Sequence, residues 1–206
     1  DLNLLLEEGN NSYMNINKEK YIYDDLKEFY NKNKSQLYTY QDLELSGKNE
    51  YEISIKKSYQ LKEYEKNRLS NELIEIIINV SKEYKQIKKL INYINANPVI
   101  LYYDNYIKLL KNYLKYNDEL KKNFDKFIIN LVIKSSCEEI VKLGIISSCL
   151  CSTDNLKEIL EVFTIHNEYI FYVIKCLTYL GENDKIFEIC KNSYGYGKIF
   201  SVMNLS

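Results

Sequence analysis

Apolar residues recur at helical spacing along most of the chain. Within residues 19–30, Ile22, Leu26 and Phe29 share one face, which predicts a first amphipathic helix. From Ser70 onward, Leu73, Ile76, Ile77, Val80, Tyr84, Ile87, Ile91 and Ile94 mark one side of a long helix. Pro98 ends it, because the proline ring crowds the preceding residue out of the helical region. Ile100, Tyr103, Ile107, Leu110 and Leu114 mark another helix that stops near Asn117-Asp118, and Leu120, Phe124, Phe127, Ile128 and Leu131 mark a third. Short polar connections between them imply antiparallel neighbours. The period changes only in residues 37–56. There Tyr51, Ile53 and Ile55 alternate with polar residues and Gly47-Lys-Asn suits a tight turn, so a short β-hairpin and a Tyr-rich loop over the core are both open.

Beyond residue 135 the pattern repeats. Ser136-Cys-Glu-Glu139 has the form of a capping box, in which the serine accepts from the helix N-terminus and the glutamate reaches back. It opens a helix with Ile140, Val141, Gly144, Ile145 and Ser148. Asp154 or Asn155 caps the next, which turns Leu156, Ile159, Leu160 and Phe163 inward. Asn167 caps a partner bearing Ile170, Val173, Ile174 and Leu177, closed by Gly181 at the C′ position. Ile159-Leu-Glu-Val-Phe163 matches Ile186-Phe-Glu-Ile-Cys190 at an offset of about 27 residues, within the periods of helical solenoids.

Val141-Lys-Leu-Gly-Ile-Ile146, Tyr169-Ile-Phe-Tyr-Val-Ile-Lys-Cys-Leu177 and Gly197-Lys-Ile-Phe-Ser-Val-Met-Asn-Leu205 are apolar stretches that carry small or β-branched residues. In these stretches the chain resembles HEAT repeats, with each one as the second helix of a pair. The resemblance covers residues 136–206 and more loosely 99–134. It implies an all-α fold of antiparallel helix pairs stacked as a HEAT-like solenoid over residues 69–206, behind an N-terminal helical or irregular addition in residues 1–68. For function it implies a binding scaffold more than a chemistry, although some HEAT-like proteins bind DNA or act as enzymes.

Composition changes this picture little. The net charge is -1, so no global field draws in nucleic acid or an anionic membrane. No run of about 18 apolar residues is present, which excludes a hydrophobic spanning helix, and Asp1-Leu-Asn-Leu-Leu-Leu-Glu-Glu lacks the basic flank and cleavage site of a secretory signal. Five cysteines on apolar helical stripes predict reduced thiols in a cytoplasmic setting.

Candidate chemistry is sparse. A serine or cysteine nucleophile needs a base, and His166 is the single histidine. Its place at a helix–helix turn predicts a polar turn residue or a helix C-terminal cation. Gly195-Tyr-Gly197 lacks the third glycine and the lysine of a phosphate loop and reads as a turn between repeats. Cys149-Leu-Cys151 has the wrong spacing for a metal site, and Cys176 and Cys190 fall on packing faces, so neither metal nor cofactor is expected. Carboxylate pairs such as Asp24-Asp25 and Glu138-Glu139 read as solvated helix faces. Lys82, Lys85, Lys88 and Lys89, with Lys111, Lys115, Lys121, Lys122 and Lys126, would suit a nucleic-acid track. Glu83, Asp118, Glu119 and Asp125 interrupt them, and Arg68 is the single arginine, so a mixed solvated surface is the better reading.

One face stands out. In solenoids the second helices line the concave binding surface. After Asn167, the residues Glu168, Tyr172, Lys175 and Tyr179 share a stripe, flanked by Leu143 and Ile146 on one side and by Phe200 and Met203 on the other. An aromatic and apolar band with few charges suits a protein partner or a second copy. The opposing reading is that the N-terminal helices or residues 37–56 cover it within the same chain, since an open apolar face of this size is uncommon on a monomer. The expected function is therefore a non-enzymatic scaffold or adaptor. Its alternative is an enzyme or nucleic-acid-processing protein on a HEAT-like scaffold, which would need a desolvated carboxylate in a pocket or a continuous positive groove.

Overall fold

The computed structural model describes residues 21–32, 46–57, 59–82, 86–152 and 155–205. Among them are eleven α-helices and no strand. Packing divides the described chain into two units. One comprises residues 21–22 and Leu61–Gly144; the other comprises Tyr23–Gln60 and Ile145–Leu205.

The first unit is organised by the helix Glu63–Lys82, here α3, which buries Leu69, Leu73, Ile74, Ile76, Ile77 and Val80. Against it lie α4 (Ile87–Ala96), α5 (Tyr103–Lys115) and α6 (Asp118–Ile133), followed by the start of α7 (Glu138–Ser147). Residues 70–98 are thus two helices, not the one long helix the periodicity predicts. Tyr93 proves the reversal: its hydroxyl donates to Leu69 O and Glu72 Oε2, each at 3.0 Å. In an unbroken helix, residues 69 and 93 would stand roughly 36 Å apart at 1.5 Å per residue. α3 and α4 therefore run back to back, and Tyr84 of the predicted stripe lies outside the described residues. Pro98 does act as expected, ending α4 and leading into a 3-10 turn at Val99–Leu101.

Helix starts in this unit follow local chemistry. Asn117 caps α6, its Oδ1 accepting from Leu120 N at 2.9 Å. Before α7 the bond comes from Ser135 instead of Ser136, its hydroxyl accepting from Cys137 N at 3.1 Å. Glu139, expected to close a capping box, instead pairs with the buried Lys142 at 3.0 Å. Where α6 and α7 cross, a side chain on Gly144 would meet Val132 Cγ2 at 2.8 Å, so only glycine permits that approach.

The second unit contains α1 (Ile22–Lys32) from Tyr23 onward, α2 (Lys48–Ser54), the 3-10 turn Ser148–Leu150, and α8 (Leu156–Phe163), α9 (Asn167–Leu180), α10 (Asn183–Asn192) and α11 (Gly195–Met203). Its centre is α9. Nine of its residues are buried, as its nearly unbroken apolar sequence requires. On one side α1 packs on α8, with the rings of Tyr23 and Phe163 at 5.8 Å. There Tyr30 donates to Glu161 Oε1 at 2.7 Å, and burial together with that carboxylate pushes the phenol up to about 12.

On another side α9 meets α11. Ile170 lies against Gly197, the rings of Phe171 and Phe200 meet edge to face at 5.3 Å, and Lys175 Nζ donates to Asn204 Oδ1 at 3.0 Å. Numbers rise together along both helices, so α9 and α11 run parallel. Gly195-Tyr-Gly197 opens α11 instead of forming a turn between repeats.

The ends of α9 are set by two residues. Gly181 closes it as expected, at φ 74, with Glu182 N donating back to Leu177 O at 3.0 Å in the 6→1 bond of a Schellman motif. At the other end the cap is His166 and not Asn167. The His166 Nδ1 accepts from Glu168 N at 3.2 Å, so the imidazole satisfies one of the helix's orphan amides. His166→Ala is expected to cost about 1 kcal/mol and His166→Asn to restore most of it, read from urea unfolding midpoints. Equal losses in both variants would remove the capping role.

Candidate functional site

The face singled out by its sequence centres on α9 and α11. Tyr172 and Phe200 are each 1% exposed and Ile146 is 2% exposed, so these three are core residues. Leu143 is also fully buried, but within the first unit's part of α7. Glu168 and Lys175 are half-buried, and only Tyr179 and Met203 stand open, at 42% and 52%. The expected stripe exists, but most of it points into protein.

The cover over α9 and α11 is α2. It lies in the stretch where sequence left a hairpin or a loop open; residues 37–45 of that stretch lie outside the described residues. Gly47 precedes α2 at φ 80, a left-handed conformation that L side chains rarely adopt. A Cβ there would come within 2.9 Å of Asn167 O, so glycine is required twice over. Its backbone N–H donates to Glu168 Oε2 at 3.2 Å, placing a carboxylate at the positive end of α2. One turn later Glu50, fully buried, accepts from the Tyr172 hydroxyl through Oε1 at 3.2 Å. Beside it the rings of Tyr51 and Tyr196 lie 5.1 Å apart, joining α2 to α11. Two of the expected surface residues, Glu168 and Tyr172, are thus the anchors of an internal helix.

Lys175 is likewise engaged. Besides its bond to Asn204, its ammonium stands 5.8 Å over the Phe171 ring. What remains open is the outer side of α11, where Ile199, Val202 and Met203 are 37%, 55% and 52% exposed, with Leu205 just past the helix end at 38%. The single charged side chain of α11, Lys198, donates to Cys190 O. An uncharged apolar stripe results. Its residues lay inside a stretch that the sequence reads as patterned helix, but only a folded α11 shows which side is outward.

Burial pushes Cys176 up to about 12 and raises Cys137 above its ordinary value, which suppresses the reactive thiolate. Among the described residues, no group of three His, Cys, Asp or Glu is arranged to hold a metal ion, and no helix is long and apolar enough to cross a membrane. Compared with known proteins, the chain matches no family model, no curated protein and no solved structure.

Proposed function

We propose that the chain is a non-enzymatic scaffold whose C-terminal helix pairs stack in the HEAT-like manner and bind another protein through the second-helix face. The observation that carries this reading is the uncharged stripe Ile199, Val202 and Met203 on α11, with the exposed Leu205 just beyond its end. Scattered apolar residues on a surface mean nothing, but Ile199, Val202 and Met203, at positions i, i+3 and i+4 of one helix, form a contiguous patch. Such a patch fits a partner surface that is itself apolar and uncharged, with Lys198 held aside at Cys190. The parallel course of α9 and α11, whose contacts pair residues roughly 30 apart, supports the stacked-repeat reading. Buried Cys149 and Cys176 suit a reducing, cytoplasmic setting.

The test is capture of partners by the tagged chain, compared with Val202→Glu and Met203→Glu. Both positions are more than half exposed, so neither change is expected to shift the melting temperature. Proteins recovered with the wild-type chain and lost with both variants support the face. A partner set unchanged by the two charges, or none recovered while light scattering shows a monomer at all concentrations, overturns it.

A further inference from the structure

The helix α2 buries an acid where such a helix would ordinarily bury an apolar residue. Of its seven residues only Glu50 is fully buried, while Tyr51, Ile53 and Ile55 beside it stay half-buried. Its seat on α9 is fixed by two oriented polar contacts, Tyr172 to Glu50 and Gly47 to Glu168, each at 3.2 Å. Both ends of the segment are left-handed: Gly47 at φ 80 and Lys57 at φ 53, the one non-glycine residue with positive φ among the described residues. Taking a carboxylate out of water is costly and is offset only where hydrogen bonds replace the lost hydration. A short helix with a single fully buried residue, and with backbone strain at its exit, belongs to the less stable part of a fold.

We propose that α2 is an intramolecular ligand, which occupies in cis the part of the α9–α11 face that a partner's helix occupies in trans. The contacts of α2 define that partner: an amphipathic helix presenting a carboxylate to Tyr172 and, at the adjacent position, an aromatic ring to Tyr196. This rests on the reading of the second-helix face as a protein-binding surface and adds both its specificity and its regulation. The α11 stripe stays open whether α2 is seated or not, whereas the Tyr172 seat becomes available only on release.

A labelled peptide spanning residues 46–57 tests this against the full chain. In the receiving chain, Gly47→Val unseats the resident α2, because its Cβ meets Asn167 O at 2.9 Å. The peptide is expected to bind that variant at least tenfold more tightly than the wild-type chain. Glu50→Ala in the peptide should remove at least tenfold of this binding, and Tyr172→Phe in the receiving chain a several-fold part. Amide hydrogen exchange of the wild-type chain is the second measurement: α2 is expected to exchange at least a hundredfold faster than α9. Equal peptide binding to both chains, or none to a Gly47→Val chain with its helical signal intact, overturns the proposal. If that variant loses its helical signal, exchange in the wild-type chain decides, and protection of α2 equal to that of α9 overturns it. The charge substitutions on α11 probe a separate part of the face, so either result can fail alone.

Discussion

Replacing Tyr172 by alanine is expected to cost about 3–5 kcal/mol of stability, the ordinary penalty for emptying a buried aromatic site. The ring is 1% exposed and meets Phe171 edge to face at 5.2 Å. Its hydroxyl is the donor to Glu50, so truncation also leaves a carboxylate in a dry place with one fewer hydrogen bond. Tyr172→Phe keeps the packing and should cost less, about 1–2 kcal/mol. Urea unfolding followed by circular dichroism at 222 nm reads both values, provided the slope is unchanged. A loss below about 1 kcal/mol for the alanine variant would falsify the placement of Tyr172 beneath α2. For partner capture the consequence is practical. A Tyr172→Ala chain that binds nothing reports a damaged core, whereas Val202 and Met203 report the surface.

The second large effect belongs to Gly197. Its α-carbon sits where α11 crosses α9, and an added Cβ would lie 2.6 Å from both Asn167 Oδ1 and Ile170 Cδ1. Ile170 is fully buried and Asn167 is 4% exposed, so neither has open space into which to retreat. Gly197→Val is therefore expected to destabilise the second unit by about 3 kcal/mol or more, the upper part of the range for overpacking a close-fitted core. The same change at Gly181 would meet no atom within 4 Å, and its cost would come from backbone conformation alone. Thermal melting of the Gly197→Val chain checks the expectation, and a melting temperature within two degrees or so of wild type would contradict the close crossing.

The contrast between these glycines shows what was legible in the sequence. Gly181 announced itself through a local rule, since a glycine after a helical stripe is the usual αL stop. Gly197 reads as part of a turn, because its partner at the crossing, Ile170, is 27 positions away, and α9 is legible as a helix but not as one buried on nearly every side. Where sequence misled, the deciding contacts lay elsewhere in the chain. The stripe of α3 runs in phase into that of α4, with no glycine or proline between them, so the reversal is visible only from Tyr93 reaching Leu69. Seven residues are too few to display a helical period, and the alternation of Tyr51, Ile53 and Ile55 imitated a strand. The local hint was Glu50 three residues after Gly47, an acid in the first turn of a helix, supported by the Glu52–Lys56 pair at 2.8 Å. Of the candidate face, covering by residues 37–56 was one of the two readings the sequence left open. Sequence could not decide between them, because burial of Tyr172 is set by a helix 122 positions away.

That separation has a consequence during synthesis. Glu50 leaves the ribosome 122 residues ahead of Tyr172, with the whole of Leu61–Gly144 made in between. At translation rates of about 5–20 residues per second, roughly 6–25 seconds pass before its seat exists. Throughout that interval the nascent chain carries a charged, tyrosine-bearing segment with no place of its own to dock. Glu50, costly to bury in the finished fold, is one of five charged side chains between Lys48 and Lys57 that favour hydration of the waiting segment over aggregation.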